Sequence, residues 1–344
     1  MDSIDPWLDP DIPAHDAPPE RFRLRNETDL VALVVTTLGF HPTESIVMVC
    51  VDEAGRMFQA RCDLAPSAVH VRGVVDSLLD AGARNGGRTT FLVTFTADER
   101  RSRQHLRATS RALRAAGCSV AMRLRVHDGR WFPASGQPSS ATRGGVAFDL
   151  TAHPLMARMV LRGEVMLADR DALVHTLDPA PGPEADAVAA ALVELGELDA
   201  DDTGALLGEA EWLGRVLGEA PETWAPATVA RVLRAVRIGN VRDVALHAVD
   251  RPSAAFWVRV WRRVVRLAPA HAVAAPAALL GFAAWGEGDG ALAWCGVERA
   301  LEVDPAHSLA RLVADLLVHA VPPDALERLA ALDPPGPAKR ARPA

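Results

Sequence analysis

The apolar pattern changes period once along the chain, near residue 150, and that change constrains the fold more than any composition figure does. Before it, short β-branched runs alternate with amphipathic helical stretches. After it, every periodic segment repeats at helical spacing. In "ETDLVALVVTTLG", Thr28 offers a cap and Leu30, Leu33, Val34, Thr37 and Leu38 recur on one helical face, with Gly39 suited to the left-handed position that ends many helices. "SIVMVCVD" reads as a strand, "EAG" as a turn and "RMFQARCDL" as the returning strand. A helix ("PSAVHVRGVVDSLLDAGARNGG"), a buried strand ("RTTFLVTFT"), a long amphipathic helix ("ADERRSRQHLRATSRALRAAG") and a strand, Asp-Gly turn and return strand ("CSVAMRLRVHDGRWFP") follow. The order α-β-β-α-β-α-β-β predicts a mixed, partly parallel sheet covered by helices, of α+β or α/β class. "PASGQPSSATRGG" reads as a loop, and the remainder as an all-helical region.

The expected organisation is a disordered segment over 1–22, an α/β domain over 23–150, a helical domain over 151–332 and a disordered tail over 333–344. The first and last are Pro-rich and without periodicity. The opening residues are acidic rather than basic then apolar, and no apolar run is long enough to span a bilayer, so a cytoplasmic protein without a membrane segment is expected. The four cysteines (Cys50, Cys62, Cys118, Cys295) form no CxxC pair and fall in strand-like or helix-like runs, which argues against disulfides and zinc. No metal or cofactor is expected.

Charge is uneven. Residues 1–150 carry 18 basic and 18 acidic side chains, and the rest 19 and 26, so the net charge of −7 resides in the second part. That argues against wholesale nucleic-acid binding, which requires a positive domain. One local exception is the long helix, where Arg100, Arg103, Arg107, Arg111 and Arg114 fall within about 80° of arc at 100° per residue. Leu106, Leu113 and Ala116 mark a different, buried face. Such a stripe is a solvated face, a docking surface for an acidic partner (the acidic helical part included), or a weak nucleic-acid or anion binder. Aromatic residues to stack bases are not interleaved with it.

The corner "TTLGFHPTES" raises a catalytic question. A histidine near a serine, His41 and Ser45 with Glu44 between them, can activate a nucleophile if a third group orients the ring and an oxyanion hole exists. No GxSxG elbow surrounds Ser45, so a hydrolase at the sheet edge is the alternative reading. The structural reading needs only local physics: Gly39 ends the helix, Phe40 packs back on its last turn, and His41-Pro42-Thr43-Glu44 turns the chain with His41 bonded to loop carbonyls. "GGVAF" and "RNGGRTT" match no phosphate-binding loop, and "ELGELDADDT" lacks the alternating oxygen donors and closing Glu of a calcium loop. Trp212, Trp224, Trp257, Trp261, Trp285 and Trp294 cluster in the second part, with Trp257 and Trp261 on one helix face suited to helix packing.

The stretch "APAALLGFAAWGEGDGALAWCGVERALEVDP" resembles a tetratricopeptide unit. Leu280-Gly281, Ala293, Ala300 and Pro305 fall at its conserved-type positions, but Ala277 and Ala284 stand where aromatic residues are usual. Pro269, 36 residues before Pro305, suggests a degenerate preceding pair. More broadly, "LVALVVTTLGFHPTESIVMVCVDEAGRMFQARCDL", "VHDGRWF", "HPLMARMVLRGEVMLADRDALVHTLDP" and "GDGALAWCGVERALEVDPAHSLARLV" resemble the domain of unknown function family 4192 of high-GC Gram-positive bacteria. The family often carries a Cys-containing stretch after the "GRW" segment, and none stands here. The resemblance implies a fold and no activity. The expectation is an uncharacterised, non-enzymatic interaction or scaffold protein, with an unknown protein partner or a second copy of itself.

Overall fold

The computed structural model describes residues 24–53, 55–134, 142–219 and 223–327. The segments expected to be disordered, 1–22 and 333–344, lie outside the described residues. Helix α1 (Glu27–Leu38) is capped by Asn26, whose side chain accepts from the Asp29 N–H, rather than by Thr28. A residue just outside the first turn can reach those free N–H groups, whereas Thr28 already lies within it. Gly39 ends α1 in the left-handed conformation at φ 74°, as its sequence position suggested.

Five strands follow the expected order: β1 (Ser45–Val51), β2 (Met57–Asp63), β3 (Thr89–Phe95), β4 (Ser119–His127) and β5 (Arg130–Pro133). Between them lie α2 (Val71–Arg84) and α3 (Glu99–Ala115). A short β6 (Val146–Ala147), directly after the stretch read as a loop, completes a six-stranded sheet of order β2-β1-β3-β4-β5-β6. Only β3 and β4 pair in parallel. β1 is buried on both faces, so its sequence is a continuous apolar run. Ile46, Met48 and Cys50 pack with Leu78 of α2 and Leu106 and Leu113 of α3, while Val47 and Val49 pack under Leu30, Val31 and Val34 of α1. The result is three layers, helix–sheet–helices.

A register shift in the β3–β4 ladder leaves Ala121 as an extra residue on β4. Such a bulge inverts the facing of every residue beyond it. Val120 packs on the α2/α3 side, yet Met122, Leu124 and Val126 pack on the α1 side. Arg123 and Arg125 are thereby turned toward the α3 side. On α3, Leu106 and Leu113 are buried as expected; Ala116 is instead the exposed C-cap.

Beyond the sheet come α4 (Pro154–Leu161), α5 (Arg170–His175), α6 (Pro183–Leu195), α7 (Thr203–Glu219), α8 (Pro226–Val236), α9 (Gly239–His247), α10 (Ala254–Leu267), α11 (Ala274–Glu287), α12 (Gly290–Val303) and α13 (Ser308–Val318). Packing of the α/β part runs past residue 150, because Leu155, Met156 and Met166 join the α1 core. The stretch that resembles a tetratricopeptide unit in sequence folds as two consecutive packed helices, α11 and α12. A Cβ on Gly296 would sit 2.7 Å from Ala277 O and 2.8 Å from Gly281 N, so glycine lets the two backbones touch. Ala275 through Gly286 are all buried, so α11 is enclosed by its neighbours rather than lining an open groove. The tryptophans do pack helices: Trp261 stacks with Trp257 at 6.4 Å and meets Trp224 edge-on at 6.3 Å.

The "GFHP" corner joins the two parts. Phe40 is 1% exposed and belongs to the helical core, against which Leu38 of the last turn of α1 also packs, so its ring reaches into the second part of the molecule. Its backbone bridges Leu167: Leu167 N–H donates to Gly39 O at 2.9 Å, and His41 N–H donates to Leu167 O at 3.3 Å. A second seam joins Asn85 Nδ2 to Ala320 O at 3.1 Å and Arg56 to Asp324 at 3.7 Å.

Candidate functional site

A cavity of about 470 Å³ opens beyond the C-terminal ends of β3 and β4, where open α/β sheets place ligands. Its rim carries His41, Glu44, Thr96, His127 and Asp128, and its floor is apolar, with Val31, Val126 and Phe148. The chain reaches this rim by the corner after α1. Glu44 takes a left-handed backbone (φ 44°), and the Asp128-Gly129 turn does the same twice (φ 49° and 61°), as a tight hairpin requires.

The three residues singled out as catalytic candidates are neighbours here, but not partners. His41 is exposed, and among the described residues its ring makes no hydrogen bond, so it does not satisfy loop carbonyls as expected. Ser45 is fully buried, and its Oγ donates to Thr43 O at 2.5 Å. Glu44 is engaged by the Arg101 guanidinium and accepts from Thr96 Oγ1 at 2.9 Å. Thr96 Oγ1 also accepts from Asp98 N–H at 3.1 Å, and Asp98 caps α3 through Arg101 N–H at 2.9 Å. The carboxylate thus ties the corner to the start of α3. It does not orient an imidazole toward a hydroxyl.

Two other histidines, missed at the level of sequence, are buried and structural. His105 on α3 is 0% exposed, and its Nε2 accepts from Ala65 N–H at 3.0 Å, while Nδ1 lies 3.0 Å from Arg101 O. A donor on one side and an acceptor on the other require the neutral Nδ1–H tautomer. Burial pushes its pKa down, against a smaller opposing effect of the Arg101 carbonyl. His153 caps α4 with Nδ1 at 3.2 Å from Leu155 N, and its Nε2 meets Asp29 Oδ1 at 3.2 Å. Burial raises the Asp29 carboxyl, but the Arg25 N–H and His153 outweigh it and hold it below the usual range.

The arginine stripe forms a continuous basic surface. Arg100, Arg103, Arg107, Arg111 and Arg114 are all exposed along α3. Among the described residues, the one ion pair these five make is Arg103 with Glu99. The acidic helical part therefore does not cover them. The bulge at Ala121 adds Arg123 and Arg125 from β4. Burial, then the nearby guanidiniums of Arg114 and Arg107, push Arg123 below the usual range, yet it stays charged at neutral pH. Arg125 stacks over Phe132 of β5 at 3.9 Å and donates to Thr96 O at 3.3 Å. The face thus carries one aromatic ring that the sequence order had separated from it.

Among the described residues, no three His, Cys, Asp or Glu side chains converge as a metal-binding group. Cys62 and Cys295 are pushed up to about 11 by burial, which keeps both as thiols. No curated protein and no solved structure matches the chain. The model of one family matches residues 28–324, spanning both the sheet and the helical bundle, and the chain belongs to that family, described as a Domain of unknown function (DUF4192).

Proposed function

We propose that this is a cytoplasmic, non-enzymatic interaction or scaffold protein that docks an acidic protein surface on the arginine face of α3 and β4. The observation that carries the reading is the exposed row of five guanidiniums, compensated among the described residues by Glu99 alone. Fixed like charges at one-turn spacing repel one another, and an acidic surface brought against them relieves that repulsion. Arginine rather than lysine suits this role, because its planar fork meets carboxylates through two parallel bonds. Helical packing elsewhere, the α11/α12 pair included, supplies a rigid body behind the face. The hydrolase alternative draws less support, since Ser45 is buried and bonded within its own loop.

The test is binding of a polyglutamate peptide and of duplex DNA, each followed by fluorescence anisotropy at roughly 150 mM salt. Wild type is compared with the Arg107→Glu/Arg111→Glu/Arg114→Glu variant, and each is weighed by light scattering. The expected result is peptide binding that the reversal abolishes. DNA binding of equal strength would make the face a nucleic-acid site. A peptide affinity unchanged by the reversal would sink the proposal. If self-association is lost with the reversal, the acidic partner is a second copy.

A further inference from the structure

The helical part holds a second cluster of arginines with a different shape. Arg259, Arg262, Arg263 and Arg266 lie three, four and seven positions along α10 and so share one face. That face is hollow: together with Ala180, Glu184 and Leu267 the four side chains line a cavity of about 330 Å³. The wall opposite α10 is the segment before α6, held there by Ala180 N–H donating to Arg266 O at 2.8 Å.

Charge in this cavity is out of balance. Glu184 pairs with Arg263. Arg259, Arg262 and Arg266 have no carboxylate within ion-pair distance among the described residues. Glu287 lies near enough to feel Arg262 and Arg259, and Asp289 to feel Arg262, without an ion pair to either. The Nε–H groups of Arg262 and Arg263 are buried and lack an acceptor. Helix α6 begins at the same rim, and Gly182 supplies no side-chain cap to its first N–H groups. Its first turn also carries Glu184 and Asp186, which offset the positive end of its dipole, so the arginines supply the field.

We propose that this cavity binds a small phosphate-bearing polyanion with at least two phosphoryl groups. Guanidinium forks match phosphate oxygens bidentately, and several spaced forks favour an extended polyanion over a single phosphate. The volume sits at the small end of ligand pockets, and among the described residues its apolar lining is Ala180 and Leu267, so recognition rests on charge. This inference is independent of the arginine face on α3, which is open and suited to a macromolecular surface.

The experiment is calorimetric titration of the full chain with inorganic pyrophosphate and, separately, with orthophosphate. Saturable single-site binding of pyrophosphate, tighter than that of orthophosphate, is expected. Arg259→Gln/Arg266→Gln, at two exposed positions, should weaken it about ten-fold or more, the usual worth of a lost charged hydrogen bond. Arg107→Glu/Arg114→Glu on α3 should leave it unchanged. No saturable heat, equal affinity in the α10 variant, or loss in the α3 variant would each overturn the proposal. Matching far-UV circular dichroism and melting temperatures establish that the variants are folded.

Discussion

Helices α3 and α10 carry the same residue type at the same helical spacing, and they present it in opposite ways. The inner side of α3 lies on the sheet through Leu106 and Leu113, among the small polar residues Ser102, Thr109 and Ser110 and the bridging His105. Its arginines stand exposed on the outer face, uncovered by any of the described residues. The inner side of α10 is Trp257, Trp261, Val264 and Val265, wedged into the bundle. Its arginines are overlooked by α6 and the segment before it, and they line a hollow. A row of guanidiniums thus specifies the sign of the partner. What packs beside the row specifies its size.

The comparison can be broken or sharpened experimentally, starting with the seats of the two helices. Trp261 is fully buried against two other tryptophans, and Trp261→Ala should cost about 3–5 kcal/mol in urea denaturation and collapse the α10 hollow. A loss no larger than that of a surface substitution would mean α10 is not held by its aromatic face. A smaller effect is expected where α11, the helix beneath α10, meets α12. Gly296→Ala places a methyl against backbone atoms that cannot yield, and about 1–3 kcal/mol of overpacking should follow. Gly82→Ala in α2 is the control. Its nearest neighbour would be the flexible Met48 Cε at 3.6 Å, so stability should hold, or rise by up to about 1 kcal/mol from helix propensity.

The seat of α3 has a pH signature that α10 lacks. His105 is held neutral, with its folded pKa below that of the unfolded chain. The unfolded state therefore takes up the proton first as pH falls below about 6.5, and stability present above that value declines through the acidic range. Denaturation at neutral and mildly acidic pH should show this slope in wild type and a shallower one in His105→Gln. An identical slope in both would mean that the ring does not titrate with unfolding. The smallest effect belongs to the arginines themselves: reversing Arg107, Arg111 and Arg114 should change stability by no more than about 0.5 kcal/mol each while removing acidic-partner binding, because exposed charges contribute little to folding.

Much of the α/β part was legible because its signals are local. The continuous apolar run of β1, the Asp-Gly turn after β4 and the glycine ending α1 each declare themselves within a few residues. The corner residues His41, Glu44 and Ser45 lie within five positions, so their proximity follows from the chain itself. The partners of Glu44 were not legible, since Arg101 and Thr96 arrive from elements far along the chain. The same holds for Phe40, whose burial in the helical core depends on Leu167. Arg123 and Arg125 read as ordinary strand residues until the Ala121 bulge inverts their facing. Three of the four α10 arginines sit in "WRRVVRLAP" and the fourth, Arg259, two residues before it; nothing in that stretch marks the wall supplied by Ala180 and Glu184.

By itself the amino-acid order determined the layered α/β start, the all-helical continuation, the excess of acid in the second part and the linear rows of arginine, because periodicity and capping act between near neighbours. Only the tertiary structure decided that the corner after α1 is a joint between the two parts, that a bulge adds two guanidiniums to one row, and that the other row lines a cavity. Those outcomes depend on strand register and helix docking, which are set by burying apolar surface between residues distant in the chain, and a single sequence carries no local mark of such pairings.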